Sequence, residues 1–167
     1  MKLFAVLLSA ILSCSFIIDS KNGDEYKNMF IGKKISETPY ADYIKEDLSG
    51  DNLIMIVNFD CHLCVEATND AGELKKASLV KNIIVLGSTF GATPADSLEA
   101  DFKTKIKADV SAYYDFDPEF EVYYKKILAI DPSYPQDKHA IYVKDNFVKG
   151  IFLKVPTVKE FSKIVKK

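Results

Sequence analysis

The feature that most constrains the fold of this chain is a pair of cysteines that follows an apolar run. Residues 52–59 contain five consecutive large apolar side chains, which predicts a strand buried on both faces of a sheet. Only Asp60 separates this run from Cys61, and apolar positions then repeat with helical spacing through residues 61–77. The sequence therefore predicts that Cys61 and Cys64 lie at the start of a helix, at the carboxyl end of a central strand.

The remainder of the chain predicts strands and helices that alternate and end in a hairpin and a helix. Thr93 and Pro94 are residue types favoured at a helix start, and Asp145-Asn146 suits a tight turn between strands. The predicted elements are a strand at 81–86, a helix from Thr93, a strand at 109–116, a helix at 118–130, strands at 139–144 and 147–155, and a helix capped by Thr157. This order predicts an α/β domain with a central mixed sheet and flanking helices.

Composition favours one ordinary domain and excludes a nucleic-acid partner. The chain has 167 residues, of which 48% are hydrophobic, enough for a normal core. Its formal charge is -2, from 24 acidic residues and 22 basic residues that are all lysine. No basic stretch is dense enough to bind nucleic acid, and arginine is absent from the sequence.

The amino terminus predicts export and a lipid anchor. A basic start and an apolar run over residues 3–12 indicate a signal peptide at 1–13, since the run is too short to span a bilayer. Ile11-Leu12-Ser13-Cys14 resembles a bacterial lipobox, which makes Cys14 the predicted lipidation site and 14–29 the tether. Ser15 does not resemble an inner-membrane retention signal, which favours a periplasm-facing anchor in the cell envelope. The alternative is a signal peptide, cleaved ordinarily or uncleaved, that happens to contain a cysteine.

A CxxC motif between a buried strand and its helix resembles the thioredoxin-like superfamily over residues 30–167. The segment at 30–35 is similar to the opening segment of its extracytoplasmic thiol-disulfide reductase and peroxiredoxin-like branches. The resemblance implies a thioredoxin-like fold with a carboxyl-terminal β-hairpin and helix. It also implies that the domain is carried by a divergent bacterial lipoprotein.

The resemblance implies a redox-active pair that forms a Cys61-Cys64 disulfide. Cys61 would be the nucleophile, because a helix amino terminus stabilises a thiolate, and Cys64 would resolve the mixed disulfide. A protonated His62 would tune the pair toward thiolate, and Asp60 would act in the opposite sense. The implied activity is that of a thiol-disulfide oxidoreductase acting on exported proteins, with no cofactor and with a membrane electron donor as one candidate partner.

Two positions depart from the family's pattern. Many members have a cis-proline before the strand that opens the final hairpin, whereas this chain has Lys138-His139-Ala140, with Pro135 nearest. The buried acidic residue of thioredoxins is replaced by Met55. We therefore expect substrate docking and proton transfer to differ from the family's usual arrangement.

Two alternatives to the enzyme follow from the same residues. If the fold brings His139 across from Cys61 and Cys64, the three could bind Cu or Zn in a metal-binding or delivery protein. The other alternative is a thioredoxin-like interaction module without catalysis.

Overall fold

The fold is built on one mixed β-sheet. The computed structural model describes residues 30–88, 95–115 and 139–166. Two short 3-10 helices at Ile35–Glu37 and Pro39–Asp42 precede the regular elements. Those elements are β1 (Asp51–Asn58), α1 (His62–Lys76), β2 (Asn82–Ser88), α2 (Ala95–Lys105), β3 (Ala112–Asp115), β4 (His139–Lys144), β5 (Phe147–Phe152) and α3 (Val158–Val165).

The strand order of the described residues is β3-β2-β1-β4-β5, so β1 is central. Strands β1, β2 and β3 are parallel, whereas β4 is antiparallel to β1 and β5 is antiparallel to β4. A parallel trio completed by an antiparallel hairpin, with the CxxC motif at the end of the central strand, is the thioredoxin-like arrangement. The predicted fold class is therefore confirmed.

Alternation along β1 divides the core into two layers. Leu53, Met55 and Val57 lie in one layer, which also contains buried side chains of α1, α2 and α3. Ile54 and Ile56 lie in the other layer, where apolar residues of segment 30–48 cover the sheet. Both faces of β1 are buried, which explains why its sequence is continuously apolar rather than alternating. The predicted buried strand is therefore confirmed.

Segment 30–35 also covers part of the sheet edge formed by β5. Gly32 donates a backbone hydrogen bond to Val148 at 2.8 Å, and Val148 donates one to Lys33 at 2.9 Å. Pairing of this kind satisfies the exposed backbone groups of an edge strand. The described domain thus begins with residues that belong to its sheet and its core.

Helix α1 is confirmed, and the structure explains the glycine in its middle. A Cβ placed at Gly72 would come within 2.7 Å of the Cβ of Ala108, in the connection between α2 and β3. Glycine disfavours helix by about 1 kcal/mol relative to alanine, and here it permits this close approach. The sequence showed the glycine but not the neighbour that requires it.

The carboxyl-terminal elements match their predictions closely. Asp145 and Asn146 have φ of 51° and 66°, as in the two-residue turns that join twisted strands. Thr157 caps α3 and forms a reciprocal capping box with Glu160. Strand β5 ends at Phe152, earlier than predicted, and the residues up to Thr157 connect it to α3.

Several predictions concern parts of the chain outside the described residues. They are the signal peptide at 1–13, the anchor and tether at 14–29, the helix start at Thr93, the helix at 118–130 and the position of Pro135. The predicted strand at 109–116 is shorter than expected within the described part and comprises Ala112–Asp115.

Candidate active site

A tight turn delivers Cys61 from the end of β1 to the start of α1. The side chain of Asn58 accepts a hydrogen bond from the backbone of Asp60 at 2.9 Å, and the backbone carbonyl of Asn58 accepts one from Cys61 at 3.1 Å. An asparagine that bonds two residues ahead forms an Asx turn, which reverses the chain locally. Cys61 then occupies the capping position of α1, directly before its first helical residue.

The two cysteines differ in exposure, and neither is in a disulfide in this structure. Cys61 is partly exposed, whereas Cys64 is buried at 1% exposure. The backbone amide of Cys64 donates to the carbonyl of Cys61 at 3.0 Å, so the pair lies within the first turn of α1. One sulfur can therefore reach a partner while the other is screened from solvent, as a nucleophile and a resolving thiol require.

Cys61 lies at the amino-terminal end of α1, beside the first backbone amides of the helix. The side chain of Cys61 makes no capping hydrogen bond, and no acidic residue occupies the first turn. Unpaired amides at a helix amino terminus act as a partial positive charge, which favours an anion there. The predicted position of Cys61 at the start of the helix is therefore confirmed.

His62 makes a contact that the sequence did not predict. Its Nε2 lies 3.2 Å from Oε1 of Glu66, one turn further along α1, and the two side chains are 81% and 60% exposed. Water screens a charge this exposed, and the carboxylate of Glu66 opposes it. The effect of His62 on Cys61 is therefore expected to be small.

An aromatic residue just before the motif is held by a close fit that the sequence analysis missed. A Cβ at Gly87 would overlap the ring of Phe59, which is 3% exposed. The same ring packs edge-on against Phe102 of α2, with centroids 5.3 Å apart. A glycine inside a strand is the sequence signal that could have indicated such a close approach. The contact packs Phe59, at the base of the CxxC turn, directly against β2.

The structure does not group His139 with Cys61 and Cys64 as a metal site in the described part of the chain. In the β1–β4 register His139 pairs with Ile56, and its neighbour Ala140 pairs with Met55. His139 is buried, and it lines the same cavity as Met55 and as Leu63 of the motif. Among the described residues no group of three His, Cys, Asp or Glu side chains could hold a metal ion.

Met55 is completely buried in the layer that contains Cys64, at the position where thioredoxins carry an acid. Glu66 and Asp70 of α1 line the same cavity as Met55. The structure therefore has a buried apolar side chain, Met55, in the same layer as Cys64.

Among the described residues, no helix is both long enough and apolar enough to cross a membrane.

No family model matches the sequence, and no curated protein matches it. The fold is similar to a secreted disulfide oxidoreductase of Mycobacterium tuberculosis homologous to E. coli DsbE, at 11% identity and TM-score 0.48, over 71% of this chain and 83% of that one. It is similar to a DsbF homologue from Corynebacterium diphtheriae, at 16% identity and TM-score 0.49, over 76% and 74%. A thioredoxin-like protein from Parabacteroides distasonis shows 15% identity and TM-score 0.48, over 73% and 84%.

All three TM-scores are below 0.5 and all three identities are below 25%, so the function is inferred from this chain's own residues. The sheet order, the strand directions and the position of the CxxC motif are properties of the chain itself. On these observations the described residues form a thioredoxin-like domain with two cysteines at the start of the helix that follows its central strand.

Proposed function

We propose that this protein carries out thiol-disulfide exchange on exported proteins through Cys61 and Cys64. The observation that carries the proposal is the unequal exposure of two thiols in the first turn of a helix that has no side-chain cap. The accessible sulfur of Cys61 is placed to attack a partner disulfide, and the buried sulfur of Cys64, one turn along, is placed to react next.

The reaction balances without a cofactor. The Cys61 thiolate attacks one sulfur of a partner disulfide, which breaks that S–S bond, forms a mixed disulfide and releases the first partner thiolate. Cys64, as thiolate, then attacks Cys61, which forms the Cys61-Cys64 disulfide and releases the second partner thiolate. Two electrons pass to the partner, and an external dithiol, such as a membrane electron donor, must return them. The same steps in reverse oxidise a partner dithiol.

The location of this activity rests on the amino-terminal sequence. We place the signal peptide at 1–13, the lipid on Cys14, the tether at 14–29 and the domain at 30–167, so that the CxxC pair faces the periplasm. In such an oxidising compartment the pair rests oxidised unless it is reduced by a donor. Incorporation of a labelled fatty acid into the expressed chain, and its loss in Cys14→Ser, would test the anchor.

The first test of the activity is the redox equilibrium of the full-length chain in glutathione buffers. Samples are quenched by thiol alkylation and weighed by mass spectrometry. We expect one reversible two-electron transition between dithiol and Cys61-Cys64 disulfide, and its potential indicates whether the protein mainly reduces or oxidises partners. A pair that forms no disulfide across the whole range would contradict the proposal and favour a non-catalytic interaction module.

A further inference from the structure

A cavity of about 290 Å³ opens beside the CxxC motif, between α1 and the end of the hairpin. Its apolar lining includes Met55, Ala67, Ala140 and Val155. Leu63, which lies between the two cysteines, also lines it, so the cavity begins at the motif itself. A volume at the lower end of ligand pockets suits one side chain of a bound polypeptide better than a larger molecule.

The rim of this cavity is apolar and unusually exposed. Leu63 is 54% exposed and Leu153, on the opposite wall, is 39% exposed. Both belong to the few large apolar side chains that are exposed among the described residues. Exposed apolar side chains that face each other across a cavity favour contact with a partner.

The charges on the walls are unequal. Glu66 and Asp70 lie one turn apart on α1 and line the cavity, and Lys154 lines it from the other side. Among the described residues, Glu66 forms an ion pair only with the exposed His62, and Asp70 forms none. Two carboxylates thus face one ammonium group, and the buried imidazole of His139 also lines the cavity.

The charge of Lys154 also interacts with Glu160, a carboxylate of α3. Hydrogen bonds from Thr157 lower the pKa of Glu160, and the charges of Lys154 and Lys163 lower it further. The positive charge of Lys154 is therefore shared with Glu160. The negative potential of the α1 wall is left only partly compensated.

We propose that this cavity binds a lysine side chain located next to the target cysteine of the partner protein. The proposal rests on thiol-disulfide exchange as the function of the motif, and it names the feature that the site selects in its substrates. A lysine has an apolar stem that matches the apolar lining and an ammonium group that matches Glu66 and Asp70. Leu63 belongs to both the motif and the cavity, so a side chain bound in the cavity lies near the motif in space. We therefore expect that side chain to belong to a residue next to the attacked cysteine of the partner.

Three synthetic peptides test this inference. Each contains one internal disulfide, and they differ only in the residue next to one cysteine, which is lysine, norleucine or glutamate. The rate of reduction by the fully reduced full-length protein is measured by rapid alkylation and mass spectrometry at low salt. Each rate is divided by the rate with 2-mercaptoethanol, which removes the intrinsic effect of the charge on the disulfide.

We expect the lysine peptide to react about 10-fold faster than the glutamate peptide, with norleucine between them. The lysine-to-glutamate ratio should fall to about 3-fold in Asp70→Asn and in Glu66→Gln. It should stay unchanged in the matched control Glu73→Gln, an exposed carboxylate of α1 that pairs with Lys76 and does not line the cavity. Using the ratio cancels any change that Glu66→Gln makes to the reactivity of Cys61 through His62.

The possible failures are distinguishable. Equal normalised rates for lysine and norleucine, or a ratio that Asp70→Asn leaves intact, would overturn lysine recognition while leaving thiol-disulfide exchange in place. Failure to reduce any of the three peptides would contradict the exchange activity itself, and the inference with it.

Discussion

The two ends of β1 use polar side chains for opposite purposes. At the amino-terminal end, buried Asn52 donates hydrogen bonds to the carbonyls of Leu48 and Gly50, both at 2.9 Å, and accepts one from Asn82 at 2.8 Å. At the carboxyl-terminal end, the capping position of α1 holds Cys61, with no side-chain cap. One end satisfies its polar groups within the protein, and the other leaves helix amides for a partner or a thiolate.

This difference shows where the fold keeps stability and where it keeps reactivity. A buried side chain whose hydrogen bonds are all made fixes a loop, because any alternative leaves buried groups unsatisfied. An uncapped helix start loses part of that stabilisation but provides partial positive charge at a surface. Substitutions at the two ends should therefore separate stability from exchange activity.

The largest effect is expected at the reactive end. Cys61→Ser should lower the rate of disulfide exchange by at least about 1,000-fold, because the hydroxyl is not a nucleophile near neutral pH. Its urea unfolding midpoint should stay close to that of the reduced parent protein. Cys64→Ser should instead accumulate a mixed disulfide with the partner, visible on non-reducing gels. Equal loss of exchange and stability in Cys61→Ser would contradict the separation of the two ends.

Asn52→Ala should give the largest loss of stability at the other end, about 2–4 kcal/mol, since it leaves several buried groups without partners. Urea unfolding measures the change, and the exchange rate of the folded protein should be nearly unaffected. Asn58→Ala is the matched control, because Asn58 makes a similar local hydrogen bond at the CxxC turn. It should lose less stability and slow exchange more. The reverse pattern would show that the two asparagines do not have the roles assigned to them.

Gly87→Ala tests how rigidly the reactive end is supported. The added methyl group would overlap the ring of Phe59, so the variant should lose about 1–3 kcal/mol and shift the turn that carries Cys61. Combining it with Phe59→Leu should recover part of the loss, which a double-mutant cycle of unfolding free energies detects. Strict additivity of the two changes would contradict the packing described.

The smallest effect is expected for Tyr142→Phe, about 1 kcal/mol, from the hydrogen bond that the hydroxyl donates to Asp51. Burial raises the pKa of Tyr142, and the hydrogen bond and charge of Asp51 raise it further. The folded state therefore holds this proton more tightly than the unfolded state. The associated stability is complete below pH about 10 and is lost as pH rises toward the folded pKa.

Unfolding titrations at pH 8 and at higher pH values measure this contribution as the difference between the parent protein and Tyr142→Phe. The difference should shrink as pH rises above about 10. A difference that stays constant across this range would show that the hydroxyl does not contribute through its bound proton.

The sequence specified the local elements where short-range rules were sufficient. The apolar run before the cysteines gave β1, because a continuous run suits a strand covered on both faces. Asp145-Asn146 and Thr157 identified the hairpin turn and the helix cap, since both depend on side chains within a few residues. The placement of Cys61 and Cys64 at a helix start followed in the same way.

The sequence did not reveal which face of the sheet each side chain occupies or which distant groups meet. His139 was expected to join Cys61 and Cys64 as a metal ligand, but no such group of three forms among the described residues, and His139 instead lines the cavity beside the motif.

By itself, then, the sequence determined the order of elements and the motif, because propensity, periodicity and capping act over a few residues. Only the tertiary structure decided the fit of Gly87 against Phe59, the cavity between α1 and the hairpin, and the position of two carboxylates on its wall. Those features depend on strand register and helix packing, which bring together residues that are far apart in the chain.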